Sequence, residues 1–129
     1  MNKYHALLAI CLLCMHTESR GDSCPSPEMI IKRDLSKQYE WTVDENTSLQ
    51  DLLSVKQFQE ARIMDHGLFV SCFYTSEKGT VRLDAAPVKG ECSLTLHDDQ
   101  WIKTDAAQDV CTDTIAGNCG FTYTCEPDS

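Results

Sequence analysis

Apolar and polar positions alternate along most of this chain, which predicts short strands rather than long helices. In Tyr39, Trp41 and Val43 a large or branched side chain recurs at every second position, as in a strand with one buried face. Residues 67–74 give the strongest strand signal in the chain. The turn signal Glu77-Lys78-Gly79 follows, then a returning strand with Val81 and Leu83 on one face. Residues 91–96 alternate again, 97–100 read as a turn before Trp101 and Ile102, and 120–125 read as a last strand. Residues 29–33 are expected as a short strand as well. Ser48, with Asp51 three residues on, has the spacing of a capping box and predicts a helix over about 49–62. The β-branched Val55 and the uneven apolar spacing beyond it leave room for a shorter helix followed by a strand. The pattern is one helix among five to seven short strands, with no β-α-β alternation. The expected fold is α+β: a small antiparallel sheet with one packed helix. Its expected core is Leu52, Leu53, Phe58, Phe69, Val70, Val81, Leu83, Leu94, Leu96, Trp101 and Phe121.

The beginning of the chain has a different grammar. Lys3 lies in a short polar start, and an unbroken apolar run from Ala6 to Met15 follows. That run is shorter than the roughly 20 residues a membrane span needs, but it has the length and place of an export signal. Residues 1–21 are therefore expected to be a signal peptide, cut before Arg20 or Asp22, and 22–129 a single disulfide-bonded globular domain. Cys11 and Cys14 leave with the signal, and neither Ile10 nor Leu13 is the small residue a lipoprotein acceptor cysteine requires before it.

Charge and cysteine content narrow the function classes. Eleven Lys and Arg against 20 Asp and Glu give a net charge of -9. Nucleic-acid binding is disfavoured because there is no excess of cations to neutralise phosphates. A basic protein partner suits the surface better. Six cysteines remain after the signal: Cys24, Cys72, Cys92, Cys111, Cys119 and Cys125. An even count behind an export signal predicts three disulfides in a periplasmic or extracellular protein. Fifteen pairings are possible, and spacing does not choose among them. Cys111 and Cys119 flank a potential turn at Ala116-Gly117-Asn118, while Cys24 must be tied to something distant. The chain after the signal has no Cys-x-x-Cys pair, so neither a zinc ribbon nor a thioredoxin-like redox motif is indicated.

Cys24-Pro25, Phe58 and Ala61, Cys72-Phe73-Tyr74, Gly79, Val81, Leu83, Trp101, Cys111 and Cys119-Gly120-Phe121 together form a sparse pattern across residues 24–121. In that pattern the chain resembles a family of small exported, cysteine-containing bacterial proteins classed as a domain of unknown function. The resemblance implies a periplasmic or secreted disulfide protein and carries no catalytic residues. Cys92 and Cys125 stand as an extra pair beside it.

Candidate chemistry is thin. Arg20-Gly21-Asp22 spells the tripeptide used by integrin ligands, at the expected cleavage junction. His97-Asp98-Asp99 and Asp65-His66 group imidazoles with carboxylates that together could hold a divalent cation, but adjacent residues in a turn rarely converge on one ion, and a solvated turn is the plainer reading. Asn46-Thr47-Ser48 is a glycosylation sequon on an expected surface turn. There is no Gly-x-Ser-x-Gly nucleophile elbow. Tyr39, Trp41, Tyr74, Trp101 and Tyr123 are either core or anchors for a partner. The sequence is read as a non-enzymatic exported protein-binding module that works as a monomer, without cofactor or metal. Such a module could be an effector, an inhibitor or an envelope accessory factor. A small envelope hydrolase, with an acid–base pair that sequence does not identify, is the alternative.

Overall fold

The structure, a computed structural model, describes residues 22–97, 99–104 and 108–126. The expected signal segment, including Arg20 and Gly21, lies outside the described residues, as does Asp98. The first helix or strand among the described residues is a one-turn helix, α1 (Pro27–Ile31), where residues 29–33 are expected from sequence as a strand. Proline at the first helical position needs no backbone N–H, Ser26 accepts a hydrogen bond from the Met29 N–H, and Ile30 alone is buried. Arg33 takes a left-handed φ of 59°, and Asp34 N–H closes back on the Met29 carbonyl, which ends the turn.

Strand β1 (Tyr39–Val43) precedes helix α2 (Leu49–Leu53). Both halves of the capping box form at Ser48 and Asp51. The predicted helix over 49–62 is corrected to this single turn, because β2 (Gln57–Met64) begins four residues after it. The misleading feature is a β-bulge between Phe58 and Glu60. A strand repeats every two residues, so side chains three apart normally point to opposite faces. The extra residue resets that parity and turns both Phe58 and Ala61 into the core, which imitates helical spacing.

The remaining strands are β3 (Phe69–Ser76), β4 (Gly79–Pro87), β5 (Cys92–Leu96), β6 (Trp101–Lys103), β7 (Asp109–Thr112) and β8 (Phe121–Cys125). Six strands form one sheet in the order β1-β4-β3-β2-β7-β6, with every pairing antiparallel. Strands β5 and β8 form a separate two-stranded ribbon. The architecture is therefore antiparallel sheet with short helices, α+β but weighted toward β. Strand β7 had no counterpart in the sequence reading.

The core lies on the face of the sheet formed by Phe58, Ala61 and Ile63 of β2, Val70, Cys72 and Tyr74 of β3, and Val81, Leu83 and Ala85 of β4. Burying a side chain as large as Phe58 stabilises the fold by ~1.5–3 kcal/mol relative to exposure. Phe58 and Tyr74 meet edge to face at 5.6 Å. Among the expected core residues, Leu52, Phe69, Leu94, Leu96 and Trp101 are only partly buried, and Leu53 is exposed. Their places are taken by Tyr39, Tyr74, Ile30, Ile63 and four of the cysteines. On the opposite face, Arg82 lies 6.0 Å from the ring centroids of both Phe69 and Phe73 and binds Asp84 at 2.8 Å.

Three disulfides form: Cys24–Cys72, Cys92–Cys125 and Cys111–Cys119. No helix among the described residues is long and apolar enough to cross a membrane.

Candidate functional site

The four-residue connection between β2 and β3 opens with three consecutive residues at positive φ, Asp65 (φ 52°), His66 (φ 58°) and Gly67 (φ 96°), before Leu68 returns to the right-handed region. For a residue with a Cβ a positive φ costs ~1–2 kcal/mol, so two such residues in succession need external support. The β5–β8 ribbon supplies it. Tyr123 Oη donates to the Gly67 carbonyl at 2.8 Å, and a methyl group at Gly67 would rest 3.8 Å from Leu94. Leu94 and Tyr123 are direct cross-strand partners, so one rung of the ribbon sits on the corner. Burial pushes the Tyr123 hydroxyl up to about 12.

An open cleft of about 670 Å³ runs along β5 beside this corner. Ile63, Asp65 and His66 line one part, Lys103 and Asp109 another, and Leu94 and Leu96 of β5 the third. The backbone of β5 gives the cleft its character. His97 N–H bonds the Gly120 carbonyl at 2.9 Å, and Glu126 N–H bonds the Glu91 carbonyl at 3.0 Å. By antiparallel alternation, Ser93 and Thr95 also exchange bonds with β8, while Cys92, Leu94 and Leu96 turn their N–H and C=O groups outward. Among the described residues, β5 pairs with β8 alone. The outer edge of β8 is partly occupied: Phe121 exchanges backbone bonds of 2.6 and 2.8 Å with Asp22. The edge of β5 has no such cover among the described residues.

The sequence-predicted groups fall in several places. Asp65 and His66 share the cleft with Asp109, but no hydrogen bond among the described residues joins His66 to either carboxylate. His97 belongs to the ribbon, where its Nε2 lies 2.6 Å from Thr122 Oγ1, and it does not line the cleft. Asp99 lies in an exposed turn. Among the described residues no group of three or more His, Cys, Asp or Glu side chains is placed to hold a metal ion. Asp22, the last residue of the integrin-type tripeptide, is committed internally: its carboxylate accepts a hydrogen bond from Tyr39 Oη. Burial, reinforced by that carboxylate, holds the Tyr39 hydroxyl well above the usual tyrosine range. At the sequon, Ser48 is spent on the α2 cap and Thr47 Oγ1 donates to Asp44.

The aromatic residues that could have anchored a partner are used in packing. Tyr39 meets Trp41, Phe121 and Tyr123 edge to face at 5.7–6.2 Å, which joins β1 to the ribbon. Trp101 Nε1 donates to the Gly120 carbonyl at 2.9 Å, and Tyr74 Oη to the Pro25 carbonyl at 2.7 Å. No aromatic side chain stands among the exposed large apolar residues that are described. Sequence reasoning missed Lys103, Asp109 and the outward edge of β5. Edge and interior strands share the same alternation, so the pattern itself holds no signal that β5 would lack an outer neighbour. No protein-family model, curated protein or solved structure matches this chain.

Proposed function

We propose that this chain is an exported, monomeric, non-enzymatic binding module that takes an extended segment of a basic protein partner along the edge of β5. The single observation that carries the reading is the row of outward backbone groups at Cys92, Leu94 and Leu96 beside an open cleft. An added strand would satisfy those groups, and alternate side chains of the guest would enter the cleft. Asp65 and Asp109 outnumber Lys103 on its wall and, with the net charge of -9, suit a guest carrying Lys or Arg. The same surface repels nucleic-acid phosphates. Export is supported by the three disulfides, which form in oxidising compartments, and by the layout of the first 21 residues. Kinship with the small exported bacterial proteins that the chain resembles is part of the same proposal.

The test is selection of extended peptides from a displayed random library on the oxidised protein, then hydrogen exchange on the complexes. Selected peptides should be basic and should slow exchange at the Leu94 and Leu96 amides. Asp65→Lys and Asp109→Lys should weaken binding about tenfold or more, in line with truncated charge contacts at interfaces. Protection confined to α1 and α2 would overturn the reading.

One observation favours the hydrolase alternative: the lining of one cleft includes His66 together with Asp65 and Asp109. Turnover of a chromogenic ester, amide or glycoside that His66→Ala abolishes would establish it. Ser93 also lines that cleft, but its Oγ donates to the Thr124 carbonyl at 3.4 Å.

A further inference from the structure

The three disulfides occupy unequal environments. Cys24, Cys72, Cys111 and Cys119 are only 0–2% exposed, sealed in the core. Cys92 and Cys125 are partly exposed at the open end of the ribbon. They face each other at a position that exchanges no backbone hydrogen bonds, where antiparallel strands approach most closely. Their Cα atoms are 3.9 Å apart, against 5.9 and 5.7 Å in the other two bridges. Disulfides usually span about 4.4–6.8 Å between Cα atoms, so this pair is unusually close, and exposed bridges are the more readily exchanged ones. Access is open too. Cys92 lines the cleft beside β5 and a second cleft lined by Leu68, Val88 and Lys89, and Cys125 lines a third beside Tyr39.

Opening this bond need not open the domain. Other contacts also hold the ribbon: Cys92–Leu96 pairs with Phe121–Cys125, Tyr123 bonds the Gly67 carbonyl, and Phe121 bonds Asp22. Neither buried bridge depends on it.

We propose that Cys92–Cys125 is a thiol-exchange site, reduced by an external dithiol while the other two bridges stay oxidised. A thiolate of the dithiol attacks Cys92 Sγ and forms a mixed disulfide. The Cys92–Cys125 bond breaks, and Cys125 leaves as a thiolate that takes up a proton. The second thiol of the dithiol loses its proton and displaces Cys92, which is protonated in turn. Two electrons and two protons pass to the chain, and the dithiol ends as a disulfide. Glu91 and Glu126 flank the bond, so a neutral or basic dithiol is favoured over an anionic thiol.

The experiment titrates the oxidised protein with dithiothreitol, traps free thiols by alkylation and maps them by peptide mass spectrometry. Cys92 and Cys125 should be labelled at a dithiol concentration about tenfold below that needed for the other four, with the far-UV circular dichroism unchanged. Labelling of another pair first, labelling of all six together, or loss of the fold with the first pair would overturn the proposal. The double variant Cys92→Ser/Cys125→Ser should fold and lose the early labelling. Failure of that variant to fold would make the bond structural and also overturn it. None of these outcomes depends on peptide binding, so the exchange site and the β5 docking reading stand or fall separately.

Discussion

Each described tyrosine hydroxyl donates to a single acceptor, and each bond ties the sheet or ribbon to a distant piece of chain. Tyr39 reaches the Asp22 carboxylate, Tyr74 the Pro25 carbonyl and Tyr123 the Gly67 carbonyl. All three hydroxyls are held above the ordinary tyrosine value near 10, chiefly by burial. The folded state therefore holds these protons more tightly than the unfolded chain does. Their contribution to stability is complete below pH 10 and is lost as pH rises, for Tyr123 up to about 12. The expected result is a cooperative alkaline transition in which tyrosinate absorbance rises together with the loss of β-sheet circular dichroism. Independent, non-cooperative titration near pH 10 with the fold intact would contradict it. This coupling also explains why the aromatic residues read ambiguously from sequence. A tyrosine that is mostly buried with its hydroxyl satisfied looks, in the sequence alone, like one waiting for a partner.

At the scale of the element, α2 is a single turn with no buried residue of its own. Its caps hold it: Ser48 Oγ accepts from the Asp51 N–H at 3.1 Å, and Asp51 accepts from the Ser48 N–H at 3.0 Å. The bond from the Ser48 backbone keeps the Asp51 carboxyl below its usual range, so acid removes this cap as pH falls through the carboxylate region. Ser48→Ala should cost about 1 kcal/mol, seen as a lower urea midpoint with an unchanged slope. Residues whose meaning is local were thus legible: the capping box, the Glu77–Gly79 turn, and the alternation of Tyr39–Val43 and of Cys92–Leu96. What escaped depended on neighbours far along the chain. The bulge after Phe58 reversed the parity of β2 and imitated helical spacing. The apolar stretch Met29–Ile31 became helix because Ser26 and Pro27 start it. The candidate site was only half visible. Asp65 and His66 stood out as chemistry, but the left-handed corner they form, and the β5 edge beside it, arise from packing against Leu94 and Tyr123.

Across the whole molecule, covalent bridges hold the sheet and ribbon in place. Cys24–Cys72 spans 48 residues and Cys111–Cys119 spans 8. In the chain-entropy account, loops of these sizes stabilise by about 4 and about 2.5 kcal/mol. Replacing Cys24 and Cys72 together by Ser should therefore lower the unfolding free energy more than replacing Cys111 and Cys119. The reverse order in urea titrations would refute the ranking. The pattern of bridges has a further consequence, for the order in which the chain is made. Cys24 and Cys72 are successive among the six, so pairing each cysteine with the next to emerge joins them correctly. Cys92–Cys125 instead encloses Cys111–Cys119, so the same rule applied as synthesis proceeds joins Cys92 to Cys111. Native pairing requires Cys92 to wait, or the wrong bond to be reshuffled once Cys119 and Cys125 have arrived. An oxidising compartment without an isomerase would trap this chain in that mispaired form, so the yield of native protein made there would report on its isomerase activity.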